Sequence, residues 1–571
     1  MESATITNRP GAVADDPDAP QYDERRHVSL AGMQEEPQAA PVTRIETLAV
    51  FIGFGAFYML LGIRLLSLHV VNFDALDQLT RAYMVWYNDP PKLAAIGFSM
   101  PPVGTLVLLP FAAIKALVAS GLALPISSAI FGAGTLTFIN RMFAMADMVR
   151  PARLLIVVLV GLNPMFAFYA MNGSGDAAYL LFAAFGMFCV LGWGRNGSAR
   201  YLIGAGLAFS VAVLARYEFI LWALLLAFLV SGALTAKGRE KDEVEGSVIA
   251  YLAPVMYALG IWIFINAVVL GDPFAWVTEA SSSAPVNAVS SAAPDFNLVD
   301  AIGNALRIQL IFPIGLVAIP MLVFGTRDAI GYGIALLIVL NVAWSVTTAA
   351  VAGSVDVIEL QDALPAMIAG CAGIAWCYLR AESMRALLWA VTVGLALVSL
   401  PLAWTQMQTF PHQNLEEAFT RAVFSGEDQE GSTSRGGFQV GIATERAMAD
   451  YIDDQDIGNN EILTDNARTF GVIILTGQPN LFFDRVDKGD TEWQKVLDDP
   501  WGNVDYVLVQ RTDADLILQK YPGMDVGEVD GFDPIASNDR YTLISVSPTA
   551  PATSGDAATP NTTSQQDTIG G

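Results

Sequence analysis

The sequence predicts an all-α polytopic membrane domain followed by a small α/β domain. Three observations carry that reading. Of 571 residues, 53% are hydrophobic and only 15% charged, with a mean hydropathy of +0.46; soluble domains run to about 25% charged. Apolar runs long enough to cross a bilayer, about 20 residues each, recur from residue 43 to 405. They are too many and too long for a signal peptide. After residue 440 short strand-like runs alternate with helical ones, the pattern of an α/β fold with a largely parallel sheet.

Residues 1–42 are polar, carry Asp-Asp-Pro-Asp and Glu-Glu-Pro clusters, and read as a disordered tail. The apolar pattern then places eleven spans, at about 46–68, 124–146, 152–171, 176–194, 200–215, 217–236, 248–270, 308–325, 329–351, 363–379 and 385–405. Connections bearing Arg141, Arg150 and Arg153, Arg195 and Arg200, Lys237, Arg239 and Lys241, Arg327, and Arg380 with Arg385 alternate correctly as cytoplasmic loops if the N-terminus is inside. The segments 69–101, 172–175, 271–307, 352–362 and 406–571 then fall outside. Pro102 to Gly121 is apolar too, but counting it as a crossing puts the Arg141–Arg153 cluster on the wrong side. It reads as an interfacial or re-entrant helix broken near Pro110; twelve spans with one charge violation is the alternative. Residues 406–440 look like a linker, 441–548 like an extracytoplasmic α/β domain, and 549–571 like an unstructured Thr/Ser/Pro tail.

Composition excludes several functions. Lys and Arg total 31 against 56 Asp and Glu, a net charge of -25, which argues against a nucleic-acid partner. Cys189, Cys371 and Cys377 lie in apolar runs and read as inert core residues. His27, His69 and His412 have no metal-ligand spacing. No P-loop, dinucleotide fingerprint, zincin helix or nucleophile elbow occurs, so no cofactor is predicted, with a divalent metal left open.

The candidates for chemistry are few. Asp74, Asp77 and Arg81 follow the first span at i, i+3, i+7 and share a helix face. A carboxylate there can take the proton of an attacking hydroxyl; the plainer reading is a solvated loop with an Asp77–Arg81 pair. Tyr83, Trp86 and Tyr87 continue the element, as a sugar platform, a grip on a lipid chain, or ordinary interfacial aromatics. Asn172-Gly173-Ser174-Gly175-Asp176 is a tight turn whose Asp176 either caps the next helix or adds a second carboxylate. Arg216, Tyr217 and Glu218 interrupt an apolar region, as an ion pair or as a phosphate ligand with its orienting acid. Arg307 is a further phosphate candidate or a snorkelling interface residue.

These motifs resemble the GT-C superfamily of polyprenyl-phosphate-sugar-dependent glycosyltransferases, in particular bacterial relatives of the protein mannosyltransferase and aminoarabinose transferase type. The likeness covers about 43–405 and rests on the Asp74 loop, Asp89-Pro90-Pro91-Lys92, Ser99-Met100-Pro101-Pro102-Val103-Gly104, Asn163-Pro164, Asn172 to Asp176, and Arg216-Tyr217-Glu218. It implies a catalytic aspartate at Asp74, with Asp77 the second choice and Asp176 in support. It also implies a polyprenyl-phosphate-linked sugar donor in the membrane lipid and an extracytoplasmic glycan or protein acceptor. Met100 stands where mannosyltransferases often have histidine, Asp176 where glutamate is expected, and Asp356, Glu359 and Asp362 where an Arg-aromatic pair is expected. Two rivals remain: a transporter or flippase, which should show internal symmetry, and a non-catalytic scaffold binding a partner through its C-terminal domain.

Overall fold

The computed structural model describes residues 42–549 except 90, 98–99, 275, 277–295, 412, 414 and 434–438. The expected tails, most of the 271–307 loop, His412, and Pro90 and Ser99 of the quoted motifs lie outside the described residues.

The first span is helix α1 (Arg44–Leu66), and an amphipathic helix α2 (Phe73–Tyr87) follows it. The ambiguous segment forms α3 (Val103–Ala112) and α4 (Lys115–Ala119). At 1.5 Å per residue α3 is about 15 Å long, half a bilayer core. The break falls at the extended residue Ile114, not near Pro110, which stays inside α3. Proline removes one backbone bond, and here that does not end the helix.

Next come α5 (Ala123–Met145), α6 (Arg150–Gly161) and α7 (Pro164–Tyr169). The single span expected at 152–171 is therefore split. Asn163 ends the first piece and caps the second, its Oδ1 accepting from Met165 N at 3.0 Å, with Pro164 in the first turn. The bundle continues through α8 (Asp176–Asn196), α9 (Ala199–Ala215), α10 (Phe219–Ala236) and α11 (Lys241–Val269). Helices α12 (Leu298–Gln309) and α13 (Pro313–Pro320), the latter running on to Thr326, meet at a 98° bend. Then follow α14 (Ala329–Ala352), α15 (Leu364–Arg380) and α16 (Arg385–Thr409). Among the described residues eight helices are long and apolar enough to cross a membrane, nine with the bent pair. The shorter α9 and the α6–α7 pair occupy the other two expected positions. The chain is a multi-pass membrane protein.

The expected linker holds α17 (Glu416–Ser425), whose Phe419 and Phe424 pack on Phe168 and Trp404. Beyond it lie α18 (Ala443–Asp453), β1 (Ile462–Thr464), α19 (Asn466–Thr476), β2 (Phe482–Phe483), α20 (Arg485–Asp498), β3 (Tyr506–Gln510), α21 (Leu516–Lys520), β4 (Phe532–Ser537) and β5 (Tyr541–Val546). The sheet order is β2-β1-β3-β5-β4. It is mixed rather than largely parallel: β1 runs parallel to β2 and β3, while β5 runs antiparallel to β3 and β4. Strand β4 escaped the sequence reading because Pro534 sits in it, which an edge strand tolerates.

At the bundle end opposite α2, Glu46 is 2% exposed and receives Arg153 through Nε at 3.0 Å and Nη2 at 2.9 Å. Asn140 Nδ2 donates to it at 2.8 Å, and Arg150 Nε approaches at 3.1 Å. The pair ties α1 to α6. Removing one partner strands a buried charge, which costs about 3–5 kcal/mol. Glu46→Gln should therefore sharply lower the thermal unfolding temperature of the detergent-solubilised protein. The double variant Glu46→Gln/Arg153→Met should recover much of that loss.

Candidate active site

Helix α2 is set by its cap and its two faces. Asn72 Oδ1 accepts from Ala75 N at 3.1 Å and opens the helix. Leu76, Leu79, Ala82 and Tyr83 are buried, whereas Asp74 is open to water. Asp77 is bound to Arg81, Nε to Oδ2 at 2.8 Å, so the ordinary i, i+4 pair is present. Gly97, at φ +80°, abuts the same arginine; a Cβ there would stand 2.5 Å from Nη1. Asp74 makes no ion pair among the described residues.

The Asn172–Asp176 turn is folded by its own small residues. Asn172 Oδ1 accepts from Ser174 N at 2.9 Å, and Gly173 N donates to Ser128 Oγ at 3.1 Å. Gly173 has φ +84°, and a Cβ on it would meet Leu124 at 2.4 Å, so glycine is required twice over. Gly175 comes so near Gly104 that an added Cβ would lie 2.9 Å from the Gly104 Cα. Gln78 of α2 fills the remaining space beside both glycines. Two motifs far apart in sequence thus close on the acidic face of α2. Gly175, not Asp176, takes the cap position of α8, leaving Asp176 in the first turn.

Arg216 is the extended residue that ends α9. Its guanidinium stands 3.6 Å from Asp176, 3.2 Å from Glu218 and 3.2 Å from Asp362, and lies 5.2 Å from the centre of the Tyr179 ring. Asn341 Nδ2 donates to the Asp362 backbone oxygen at 2.7 Å, holding the approach to α15 in place. Glu359 accepts from Gln361 in the same approach, and Glu416 of α17 accepts from Tyr169 Oη at 2.8 Å.

These acids act on one another. Burial raises the Asp74 carboxyl to about 6, helped by the charges of Asp77 and Asp176. Its side chain meets water on one side and dense protein on the others, so it is accessible and still poorly solvated. Glu359 is pushed up to about 8 by burial and then by Asp362, Asp74 and Glu416. Asp74, Asp176, Glu359, Asp362 and Glu416 thus form a chain of mutually influencing acids, of which Asp176 and Asp362 are ion-paired to Arg216. Among the described residues no group of three or more His, Cys, Asp or Glu is arranged to hold a metal ion.

Of the residues singled out from sequence, Asp74, Asp77, Asp176, Arg216 and Glu218 come together, and Arg81 joins them through Asp77. Tyr83 and Tyr87 do not. They lie on the other side of α2, where Tyr83 Oη donates to the Gly477 oxygen at 2.9 Å and Tyr87 Oη to the Ala113 oxygen at 2.8 Å. Both hydroxyls are engaged by backbone oxygens, away from the acids. Arg307 is also apart: it donates to Gln406 at 2.8 Å and Thr409 at 3.2 Å and lies over Phe410. Glu359, Asp362 and Glu416 received no role from the sequence. The first two had a signal, three acids in seven residues before an apolar span; Glu416 had none.

No protein-family model matches the sequence, and comparison with curated proteins finds no match. Solved structures do match. ArnT from Cupriavidus metallidurans, crystallised with undecaprenyl phosphate bound, is 12% identical, with 88% of this chain and 98% of that chain covered and a TM-score of 0.51. An oligosaccharyltransferase from Archaeoglobus fulgidus, tethered to an acceptor peptide, is 10% identical, with 82% and 69% covered and a TM-score of 0.43. ArnT is a GT-C glycosyltransferase, and the fold of this chain is GT-C-like.

If Asp74 works as a base, activity follows its ionised form. The group is protonated below its raised pKa, so kcat/KM should climb as pH rises through about 6. Asp77→Asn removes a neighbouring negative charge and should move that limb to lower pH. A pH–rate profile of both proteins checks this.

Proposed function

We propose that this protein is an integral membrane glycosyltransferase. It moves a sugar from a polyprenyl-phosphate carrier to an extracytoplasmic glycan or protein acceptor. The supporting observation is the grouping of Asp74, Asp176 and Arg216 in a GT-C-like fold, Asp176 paired with the arginine and close enough for its charge to act on Asp74. In this reading Asp74 removes the proton from the acceptor hydroxyl as its oxygen attacks the anomeric carbon. The bond from that carbon to the phosphate oxygen breaks, polyprenyl phosphate leaves, and the configuration inverts. Asp176 keeps Asp74 basic, and Asp77 holds Arg81 beside these acids. Arg216 Nη1, 3.6 Å from Asp176, is buried and has no hydrogen-bond partner among the described residues. It is therefore the donor available to a phosphate oxygen, and charged donors aimed at a departing anion lower the barrier.

The loop-charge pattern orients the N-terminus to the cytoplasm and these acids, with the C-terminal domain, to the outside. A lipid-borne donor suits that side, and it suits a chain with no nucleotide-binding motif.

Asp74→Asn should reduce sugar transfer in a native-lipid assay by about 10²–10⁴-fold while leaving donor-lipid binding intact. Asp77→Asn should cost less, since that carboxylate is committed to Arg81. Full transfer by both folded variants would rule out this base.

A further inference from the structure

A cavity of about 520 Å³ lies behind α2, away from the acids. Its α2 wall is Leu76, Leu79 and Tyr83, which at 3.6 residues per turn stand roughly 140–200° around the helix from Asp74. The end of α1 and helix α4 with the turn after it form a second side, and Ile474 and Leu475 of α19 the third. The volume is that of a small-ligand site, for which about 300–1,000 Å³ is usual.

The lining is aliphatic apart from a few groups, and its charges have one sign. Lys115 and Arg446 both line the cavity and are solvent-exposed, so they stand at its open side. Neither forms an ion pair among the described residues, although the chain carries a net charge of -25. Lys115 Nζ lies 4.5 Å over the Tyr87 ring, which fixes it without neutralising it. His69, on the same wall, is already engaged by Asp428 at 2.8 Å. The cavity also takes in Leu66, the last residue of the first apolar span, which places it at the end of that span.

We propose that this cavity binds an anionic phospholipid. An acyl chain occupies the aliphatic interior, and the headgroup phosphate sits between Lys115 and Arg446. Because Lys115 belongs to α4 and Arg446 to α18, the lipid joins the membrane domain to the C-terminal domain. It does so directly behind the helix that carries Asp74. A zwitterionic lipid offers the same chain without the net negative charge, and inorganic phosphate offers the anion without the chain.

The test is binding, independent of sugar transfer. The full-length protein in phosphatidylcholine nanodiscs is titrated with phosphatidylglycerol, and thermal unfolding and native mass spectrometry are followed. Phosphatidylglycerol should raise the unfolding temperature by several degrees. The K115Q/R446Q variant should weaken its binding about thirtyfold, at roughly fivefold per basic residue. Ala119→Trp, from an exposed residue of the cavity wall, should abolish the response while the protein stays folded in phosphatidylcholine. Equal stabilisation by the two lipids would overturn the proposal. So would an unchanged response in either variant, or the full shift from inorganic phosphate alone.

Discussion

The candidate site depends on one half-buried cation. Arg216 ends α9, and its guanidinium gathers Asp176 from the start of α8, Glu218 from the following turn and Asp362 from the approach to α15. Unpaired, a charge in that position would cost several kcal/mol. Without the arginine, the three acids would face each other in a poorly solvated cluster, and like charges at such range cannot all ionise. Each element is therefore held where it is by a charge that the others need. The extended backbone at Arg216 allows this, because it stops the helix and sends the side chain across the bundle end.

Helix α2 is held from the other side by a different kind of force. Its buried face packs on the C-terminal domain through Phe73 against Phe470, with ring centres 6.3 Å apart. Thr80 Oγ1 donates to the Phe470 oxygen at 3.3 Å, and Arg540 lies over the Phe73 ring. Phe73 is the residue before Asp74. The C-terminal domain thus packs on the helix that presents the acid, while Arg216 holds Asp176 and Asp362. The closely packed glycines Gly104 and Gly175 bring the two together, since any side chain there would push α3 from the α8 turn.

Sequence patterns made much of this legible, and the limits have physical causes. Apolar length located the spans because a bilayer imposes it on each helix separately. The interruption by Arg216 and Glu218 was visible because charge within an apolar region is costly. The side a residue faces was less visible. Tyr83 and Tyr87 follow Asp77 closely in sequence, but a helix turns them away, and aromatics fit a packed face as well as a binding one. Asp77 and Arg81 showed the i, i+4 spacing of a pair and formed it. Glu416 could not have been found: it reaches Tyr169 from a segment that composition marks as a linker. Strand β4 was hidden by Pro534, for which propensity argues against a strand, whereas its partner β5 was legible.

The same electrostatics separate the acids by role. A carboxylate in an ion pair has an oxygen committed to its cation, which leaves it less free to meet an acceptor hydroxyl. Asp77 has Arg81, and Asp176, Glu218 and Asp362 share Arg216. Asp74 has none of these cations as an ion-pair partner, is reached by water, and is lifted to about 6 by burial, with Asp77 and Asp176 adding to the lift. An acid of that strength is largely ionised near neutral pH and more basic than an ordinary aspartate, the compromise general base catalysis favours. Glu359, lifted further to about 8, is on the other side of that compromise. Burial lifts both groups, but Glu359 further, so near neutral pH it is the more protonated of the two while still accepting from Gln361.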